Sequence, residues 1–507
     1  MSISRRHFLA GSAGVSALAV LAACGSNNDS SSGAPQSGGT LRVGALGKTS
    51  AIEQDPHQTL NNNSDFLISS LVFDALTVPG ENPNTAPRLA SRWEQLGDPR
   101  QWRFVIAEGA AFHDGTPVSS ADVVWSLRRL HEIAGETKVP VTSPGDIVTD
   151  GPSAVRITTP APNRDLPMLL RLMTFTVKQG TTDFARPVGT GPFTLESFDN
   201  GNARLVRNPN WYATPPTLDA IEVTRFESTT AMANAVLSNQ IDLASNVGAV
   251  AGRTAEGRDG YTVMRRSNDV VIPVVMRTSD GPFADVRVRE AMRLIVDRDA
   301  MVKQAISGYG VVANDVLGTG DPTYDRSLPQ RGRDLDKAKA LLAEARFDLT
   351  KTYQLFTKDE AVGEVDSAKL FAGQARDAGI KIDVVTQDSN VFYDETWLSA
   401  PLYTANWGTN DSVVFFASKT MYSGTKWNET GFHDAAFDSA YRRALAARDD
   451  ATYQNASHDL QRIEYERGGY LVWGMADGVD IASSRVHGLP TLGGFGRVQL
   501  ERAWLTN

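Results

Sequence analysis

Short alternations of apolar and polar residues mark the predicted strands. Thr40-Leu-Arg-Val43, Trp102-Arg-Phe-Val-Ile106 and Ile380-Lys-Ile-Asp-Val-Val385 each place successive side chains on opposite faces, as in a strand with one buried side. Between them lie longer segments whose apolar residues recur every three or four positions, which is the spacing of an amphipathic helix. Because strands and helices alternate along the chain, the pattern predicts an α/β fold.

The helical spacing is clearest in five segments. Residues 63–76 place apolar side chains on one face, and Ser119 to Asp122 form a capping-box-like start to the segment that follows. Further helices are predicted from Asp336 to Ala345, over 434–450 and over 452–467. These helices would cover the predicted sheets and bury their apolar faces.

Length and charge narrow the possible classes of protein. A chain of 507 residues is long enough for two or three lobes around separate cores. Its formal net charge of −9 argues against nucleic acid as a partner and against electrostatic docking on anionic lipid. After the N-terminal segment, no apolar run reaches the roughly 18 residues of a transmembrane helix.

The N-terminal segment predicts export and lipid anchoring. Arg5 and Arg6 precede a short apolar run, as in a secretory signal, and with Phe8-Leu9 they resemble a twin-arginine signal. Leu21-Ala-Ala-Cys24 resembles a lipobox, so we expect a signal peptide over 1–23 and lipidation of Cys24, the only cysteine. The alternative is a plain cleaved signal with an incidental cysteine. Residues 24–39 would be a flexible tether, which places the protein outside the cytoplasm on the membrane surface or in the periplasm.

Motifs for catalysis are weak or incomplete. Gly47-Lys48-Thr49 follows a strand, but a phosphate-binding loop needs glycine at position 42, which is arginine. His113-Asp114 and His433-Asp434 are more typical of turns or helix caps than of catalytic pairs. The sequence has no zinc-type histidine spacing and no Gly-x-Ser-x-Gly elbow. We therefore expect a protein that is not an enzyme and has no cofactor or metal site.

One aromatic residue lies in a markedly polar stretch. Trp407 stands within Tyr403-Thr-Ala-Asn-Trp-Gly-Thr-Asn-Asp411, which follows Pro401. An aromatic ring among small and amide side chains suits a ligand cleft. A tryptophan that merely caps a loop would have the same composition, so both interpretations stay open.

Several blocks of sequence carry a resemblance to a known family. The stretch Phe112-His-Asp-Gly-Thr-Pro-Val-Ser-Ser-Ala-Asp-Val-Val-Trp-Ser-Leu127 resembles the signature of the family 5 extracellular solute-binding proteins, the dipeptide- and oligopeptide-binding components of ABC importers. Val188-Gly-Thr-Gly-Pro-Phe193, Arg207-Asn-Pro-Asn-Trp-Tyr212, Asn239-Gln-Ile-Asp-Leu243 and Pro282-Phe-Ala-Asp-Val-Arg-Val-Arg-Glu-Ala291 resemble further blocks, in family order.

The resemblance implies a three-lobed periplasmic-binding-protein fold of type II. Lobe I would comprise 40–81 with 188–275 and 481–507, lobe II 82–187, and lobe III 276–480. The ligand would lie in a hinged cleft between the two main lobes, I and III, which close on it. Closure would give the membrane partners a bound state that differs from the empty one.

The resemblance also implies ligand contacts. The loop from Ala45 to Asp55 and residues 404–410 match stretches that line the cleft in relatives, where an extended peptide pairs with the backbone of the second stretch. The family's ammonium-binding carboxylate falls at Asn410, with Asp411 one residue later. Either Asp411 takes that role or the ligand has no free amine. Arg277 could face a ligand carboxylate or form a hinge ion pair. The expected ligand residues are Lys48, Glu53, Gln54, Arg277, Thr404, Asn406, Trp407, Gly408, Asn410 and Asp411.

The leading hypothesis is a monomeric, membrane-tethered receptor that delivers a small solute, above all a peptide, to the permease and ATPase subunits of an ABC importer. Within that class the alternative is a different cargo, such as a nickel chelate, haem, an opine-like compound or a sugar, and the observation behind this alternative is Asn410 in place of an acid. From other classes, an extracellular peptidase and a surface adhesin or chaperone stay open.

Overall fold

The computed structural model describes residues 35–58, 62–80, 85–171, 174–408, 412–491 and 499–506. The expected signal peptide and the lipidated Cys24 lie outside these residues. Gln36–Asn507 forms one compact unit. Within the described ranges, no helix is both long enough and apolar enough to cross a membrane.

The largest sheet, called here the large sheet, mixes parallel and antiparallel strands. Thr40–Leu46 lies at its centre, parallel to Ala220–Phe226 on one side and to Leu243–Ala244 on the other. In spatial order its strands are Trp407–Gly408, Tyr261–Val271, Gly474–Ser483, Leu243–Ala244, Thr40–Leu46, Ala220–Phe226, Asn202–Arg207 and Phe193–Asp199, with Gly310–Val312 also paired to Gly474–Ser483.

A second sheet forms in the C-terminal half of the chain. Its strands are, in spatial order, Lys381–Gln387, Thr352–Lys358, Leu402–Thr404, Val274–Met276 and Tyr470–Leu471. A small sheet contains Ala90–Gln95, Gln101–Ile106, Ala154–Thr158 and Ile147–Thr149, and two short hairpins pair Thr77–Pro79 with Thr85–Pro87 and Val486–His487 with Trp504–Leu505.

Helices pack on these sheets and close the cores. The α-helices are Asn63–Val72, Ser120–Ala134, Leu166–Leu169, Thr229–Leu237, Ala249–Ala255, Val286–Ile295, Arg298–Ala305, Leu335–Glu344, Glu364–Ala375, Ser389–Val391, Val413–Phe416, Ala435–Ala446 and Asp450–Arg467. Phe392–Thr396 and Ala417–Met421 are π-helical turns, and the 3-10 turns are Thr49–Ala51, Gly135–Thr137, Pro144–Asp146, Gly281–Phe283 and Arg376–Ala378. The predicted α/β class is therefore confirmed.

Helix ends follow local capping chemistry. Ser119 and Asp122 form the predicted capping box at the start of Ser120–Ala134. The helix predicted to begin at Asp336 begins at Leu335 instead, because the Asp334 side chain accepts the Lys337 N–H.

Within the described part of the chain, three segments pass directly from one main sheet to the other, each with two residues between its strands. Tyr261–Val271 continues into Val274–Met276 through Ile272-Pro273, Leu402–Thr404 into Trp407–Gly408 through Ala405-Asn406, and Tyr470–Leu471 into Gly474–Ser483 through Val472-Trp473. At these crossings the Ala405 N–H donates to the Pro273 carbonyl over 3.1 Å. The crossings hold the edges of the two sheets together and bring residues from distant parts of the chain to one place.

Candidate functional site

Two cavities lie beside the sheet crossings. The first has a volume of about 250 Å³ and the second about 230 Å³, and Asn406 lines both. The first is lined by Asn63, Asn246, Gly248, Ala249, Asp269, Val270, Ile306, Tyr309, Glu360, Ala361, Val362, Asn406, Gly408, Ala476 and Asp477. Since these residues come from both main sheets, the cavities lie in a cleft between them.

The charged residues that line the first cavity are all acids. Asp269 and Asp477 come from the large sheet, and Glu360 follows the strand Thr352–Lys358 of the second sheet. The Tyr393 hydroxyl donates a hydrogen bond to the Glu360 carboxylate over 2.9 Å, and the Lys358 ammonium lies 3.7 Å from the same carboxylate. Because Asp477 and Asp269 form ion pairs with Arg265 and Arg266, Glu360 is the acid of this cavity best suited to receive a positively charged group of a ligand.

Each of the three acids has a cation beside it, which for Asp477 is Arg265 at 2.6 Å, for Asp269 is Arg266 at 3.4 Å and for Glu360 is Lys358. Lys358 Nζ lies 2.9 Å from Glu364 as well as 3.7 Å from Glu360, so one cation faces two carboxylates. Lys358 is 1% exposed and Glu364 is 0% exposed. Because burial strengthens their attraction and removes competing water, this pair is a fixed element of the cleft wall.

The buried pair also positions the residues that reach the cavity. Glu364 accepts hydrogen bonds from Thr404 Oγ1 over 3.0 Å and from Asn406 Nδ2 over 3.3 Å. Thr404 is fully buried and bonds Thr357 over 2.8 Å. Thr404 therefore lies beneath the cavity floor, where it helps to hold the crossing segment, while Asn406 faces the ligand space.

Aromatic rings form most of the second cavity, which is called here the aromatic box. Its walls are Lys358, Phe392, Tyr393, Trp397, Ala405, Asn406, Trp407, Trp427 and Glu429. The ring centroids of Trp397 and Trp407 lie 6.1 Å and 6.3 Å from that of Trp427. These three indoles come from separate segments of the chain, and the fold brings them together around one space.

One buried carboxylate orients two of these indoles. Glu429 is 1% exposed and accepts the indole N–H groups of Trp397 over 2.7 Å and Trp407 over 3.2 Å. The Tyr470 hydroxyl is a third donor, at 2.6 Å. Burial raises the pKa of Glu429, although the three donors and the nearby Lys358 oppose that rise. The network fixes the ring planes before any ligand arrives.

The strand Trp407–Gly408 lies at the edge of the large sheet. On one side it pairs antiparallel with Val270 and Val271, and among the residues that the structure describes no further strand follows it in the sheet order. An edge strand leaves backbone N–H and C=O groups open for pairing with another extended chain. Trp407 and Gly408, which the sequence predicts as ligand contacts, form this edge strand. Asn410 and Asp411 lie outside the described residues.

The remaining predicted ligand residues are placed elsewhere. Lys48 is exposed, while Glu53 and Gln54 line a separate pocket of about 20 Å³ together with Phe184 and others. The Arg277 guanidinium bonds the Leu398 carbonyl and lies 3.5 Å from Asp280, which matches the alternative of a local ion pair near the crossing. The structure brings Asn406, Trp407 and Gly408 together. It places Lys48, Glu53, Gln54 and Arg277 outside the two cleft cavities.

Four residues of the cleft were not predicted from the sequence: Glu360, Glu429, Trp397 and Trp427. Glu360 could have been found, because it follows the C-terminal end of a strand that pairs in parallel, where ligands bind in α/β sheets. Glu429 gave no local signal, since its partners stand at distant positions in the chain. Among the described residues, no group of three or more His, Cys, Asp or Glu side chains is arranged to hold a metal ion.

Comparison with known proteins places this cleft in context. The model of the bacterial extracellular solute-binding proteins, family 5 Middle, matches residues 84–429. The probable D,D-dipeptide-binding periplasmic protein DdpA of Escherichia coli (strain K12) is 25% identical over 443 residues, which span 82% of this chain and 85% of that protein.

Solved structures share the fold. The oligopeptide-binding protein AppA of Bacillus subtilis, in complex with a nonapeptide, superposes with a TM-score of 0.76 at 20% identity, over 94% of this chain and 100% of that one. NikZ of Campylobacter jejuni, in complex with Ni(L-His), gives a TM-score of 0.78 at 18% identity, over 92% and 99% of the two chains.

Proposed function

Because the chain belongs to the bacterial extracellular solute-binding proteins of family 5, the substrate-binding components of ABC importers, we propose that its cargo is a peptide. The peptide lies in the cleft between the two main sheets, and the closed, loaded protein delivers it to the permease and ATPase subunits of the importer. In this role the protein binds without turnover and acts as a monomer.

The acidic first cavity carries this proposal. Its charged lining residues are the acids Asp269, Glu360 and Asp477, of which Asp269 and Asp477 already pair with Arg266 and Arg265. We assign the ammonium to Glu360, since its nearest cation, Lys358, is shared with Glu364. Asp411, one of the two possibilities that the sequence left open, is the alternative. The open edge of Trp407–Gly408 would pair with the peptide backbone, a mode that tolerates different side chains.

The three-lobed division supports hinge closure around this cleft. We propose lobe I over 40–81, 188–275 and 481–507, lobe II over 82–187 and lobe III over 276–480. The small sheet falls within lobe II, and the sheet crossings favour hinges at 272–273, 405–406 and 472–473. The last crossing suggests that lobe III ends nearer to 472 than to 480.

We further propose that the chain is exported through a twin-arginine signal over 1–23 and anchored through acylated Cys24, with 24–39 as tether. Two or three acyl chains would hold it stably, because each buried methylene adds about 0.8 kcal/mol. This arrangement keeps the receptor close to its permease.

A second candidate cargo is a nickel chelate, which the similarity to NikZ in complex with Ni(L-His) favours. The Glu360 carboxylate, which we assign to an ammonium, can also face a cationic complex. Haem, an opine-like compound or a sugar would be further outcomes of the same experiment.

Native mass spectrometry of residues 25–507, purified from the protein's own host, tests the proposal. A ladder of bound masses in the range of di- to pentapeptides is expected, and calorimetry with synthetic peptides should then show binding. A single discrete mass would instead identify a dedicated cargo. Consumption of a peptide pool by the purified protein would contradict a pure binding role.

A further inference from the structure

The aromatic box differs in character from the acidic cavity beside it. Five aromatic side chains line it, and the box joins the acidic cavity at Asn406. A ligand that spans both cavities therefore presents two chemically different parts to the protein. The acidic cavity suits its charged part, and the box decides what the other part can be.

Size permits a ring in the box. Its volume is about 230 Å³. An apolar protein cavity of about 150 Å³ already accommodates benzene. A phenyl or phenol group therefore fits with room to spare, and the preset indole planes allow edge-to-face or offset contact with it.

The charged residues of the aromatic box argue against a charged ligand group in it. Lys358 Nζ lies 4.5 Å from the ring centroid of Phe392 and 5.4 Å from that of Tyr393, so a cation already occupies these ring faces. Both charged groups of the box already have partners, since Lys358 Nζ lies 2.9 Å from Glu364 and Glu429 accepts three hydrogen bonds. A charged ligand group would therefore find no free counter-charge in the box. An uncharged group is the remaining choice.

We infer that the aromatic box receives a planar, uncharged aromatic group of the cargo, while the cargo's ammonium lies at the acidic cavity. This inference rests on the proposed function of the cleft as the ligand site. It narrows the cargo to peptides with an aromatic residue, or to other amines that carry an aromatic ring.

Trp427 is the residue to vary. Its ring contacts Trp397 and Trp407, while the donors to Glu429 are Trp397, Trp407 and Tyr470, so substitution leaves that network in place. Trp427→Leu keeps an apolar side chain without a planar face, and Trp427→Phe restores a ring. Trp93→Ala, at a half-buried tryptophan of the small sheet, is the matched control.

The probes are alanine tripeptides with phenylalanine at each position in turn, and the same peptides with cyclohexylalanine, which has similar bulk but no planar face. By calorimetry, the wild-type protein should bind phenylalanine at one position about tenfold more tightly than cyclohexylalanine. Trp427→Leu should abolish this preference, whereas Trp427→Phe and Trp93→Ala should retain it. Equal affinity for the two side chains, or a preference that survives in Trp427→Leu, would overturn the inference.

A second probe pair separates this inference from the peptide proposal. If no tripeptide binds the wild-type protein, the peptide proposal fails, and phenethylamine is compared with cyclohexylethylamine. Tighter binding of phenethylamine that is lost in Trp427→Leu supports the aromatic box as a ring site for a non-peptide cargo. Absence of a difference between these two amines overturns the inference as well.

Discussion

Trp407 donates its indole N–H to Oε2 of Glu429 over 3.2 Å, and this bond joins the edge strand of the large sheet to a distant loop. The same carboxylate holds Trp397 and Tyr470. One buried acid therefore fixes both a ring of the aromatic box and the strand whose open edge faces the cleft. Binding geometry and local stability depend on the same group.

Substitution of Glu429 by glutamine should destabilise the protein. Glutamine offers one acceptor oxygen, and its amide NH2 would face at least one of the three donors. We expect a loss of about 1–3 kcal/mol in the free energy of unfolding, measured as a lower urea midpoint. The exposed Glu108→Gln should leave the midpoint unchanged. Equal midpoints for the Glu429→Gln variant and the wild type would show that the network does not stabilise the fold.

The buried pair of Lys358 and Glu364 predicts a strongly non-additive pair of substitutions. Lys358→Met leaves the Glu364 carboxylate buried without its cation and should cost about 3–5 kcal/mol. The double variant Lys358→Met/Glu364→Gln removes both charges and should recover part of that loss. Urea unfolding of the single and double variants measures the coupling. Additive losses would mean that the two charges do not depend on each other.

Glu360→Gln should weaken peptide binding while the fold is retained. The substitution keeps the shape of the side chain but removes the charge that we assign to the ligand ammonium, and a hydrogen bond to a charged group is worth about 1.5–3 kcal/mol. Calorimetry should therefore show roughly 10- to 100-fold weaker binding. Asp383→Asn, on the exposed face of a second-sheet strand, is the control. If only Asp411→Asn weakens binding, the ammonium lies at Asp411 instead.

Local patterns predicted the helices and strands better than they predicted the cleft. The capping box at Ser119 and the strand at Trp102 depend on neighbours in sequence, so they could be identified directly. The helix predicted over 434–450 ends at Ala446, because Asp449 caps the next helix by accepting the Thr452 N–H.

The site required tertiary information. Trp407 was recognisable because its polar surroundings stand out within one segment. Glu429 acquires its role only when the fold brings it to Trp397, Trp407 and Tyr470. A single sequence contains no local pattern that predicts these long-range contacts. Glu360 could be recognised from its position only once the strand before it was known to pair in parallel at the cleft.

The N-terminal segment predicts a membrane-bound mature protein. Cys24→Ser removes the thiol that acylation needs, so the variant should move from the membrane fraction to the soluble extracytoplasmic fraction. Immunoblots of the two fractions measure the change. Ser26→Ala, two residues later in the expected tether, should leave the protein in the membrane fraction. Equal partition of Cys24→Ser and the wild type would contradict lipid anchoring.

The buried Glu464 predicts an unusual dependence of stability on pH. Its side chain is 3% exposed, and burial raises its pKa from 4.5 to about 8. The folded state therefore keeps a proton that the unfolded state has already lost, so the free energy of unfolding should fall as pH rises from 4.5 to about 8.

Glu464→Gln isolates this contribution. Glutamine stays neutral at every pH and keeps an oxygen that can accept the Leu317 N–H, which lies 3.3 Å from the glutamate in the wild type. The variant should therefore lose less stability than the wild type between pH 4.5 and about 8, and should be the more stable protein at the upper end of that range. Urea unfolding across this range, with Glu108→Gln as the exposed control, measures the difference. Parallel curves for the wild type and Glu464→Gln would show that Glu464 ionises equally in the folded and unfolded states, and that the cost of burying its charge is met by neighbours such as Arg293.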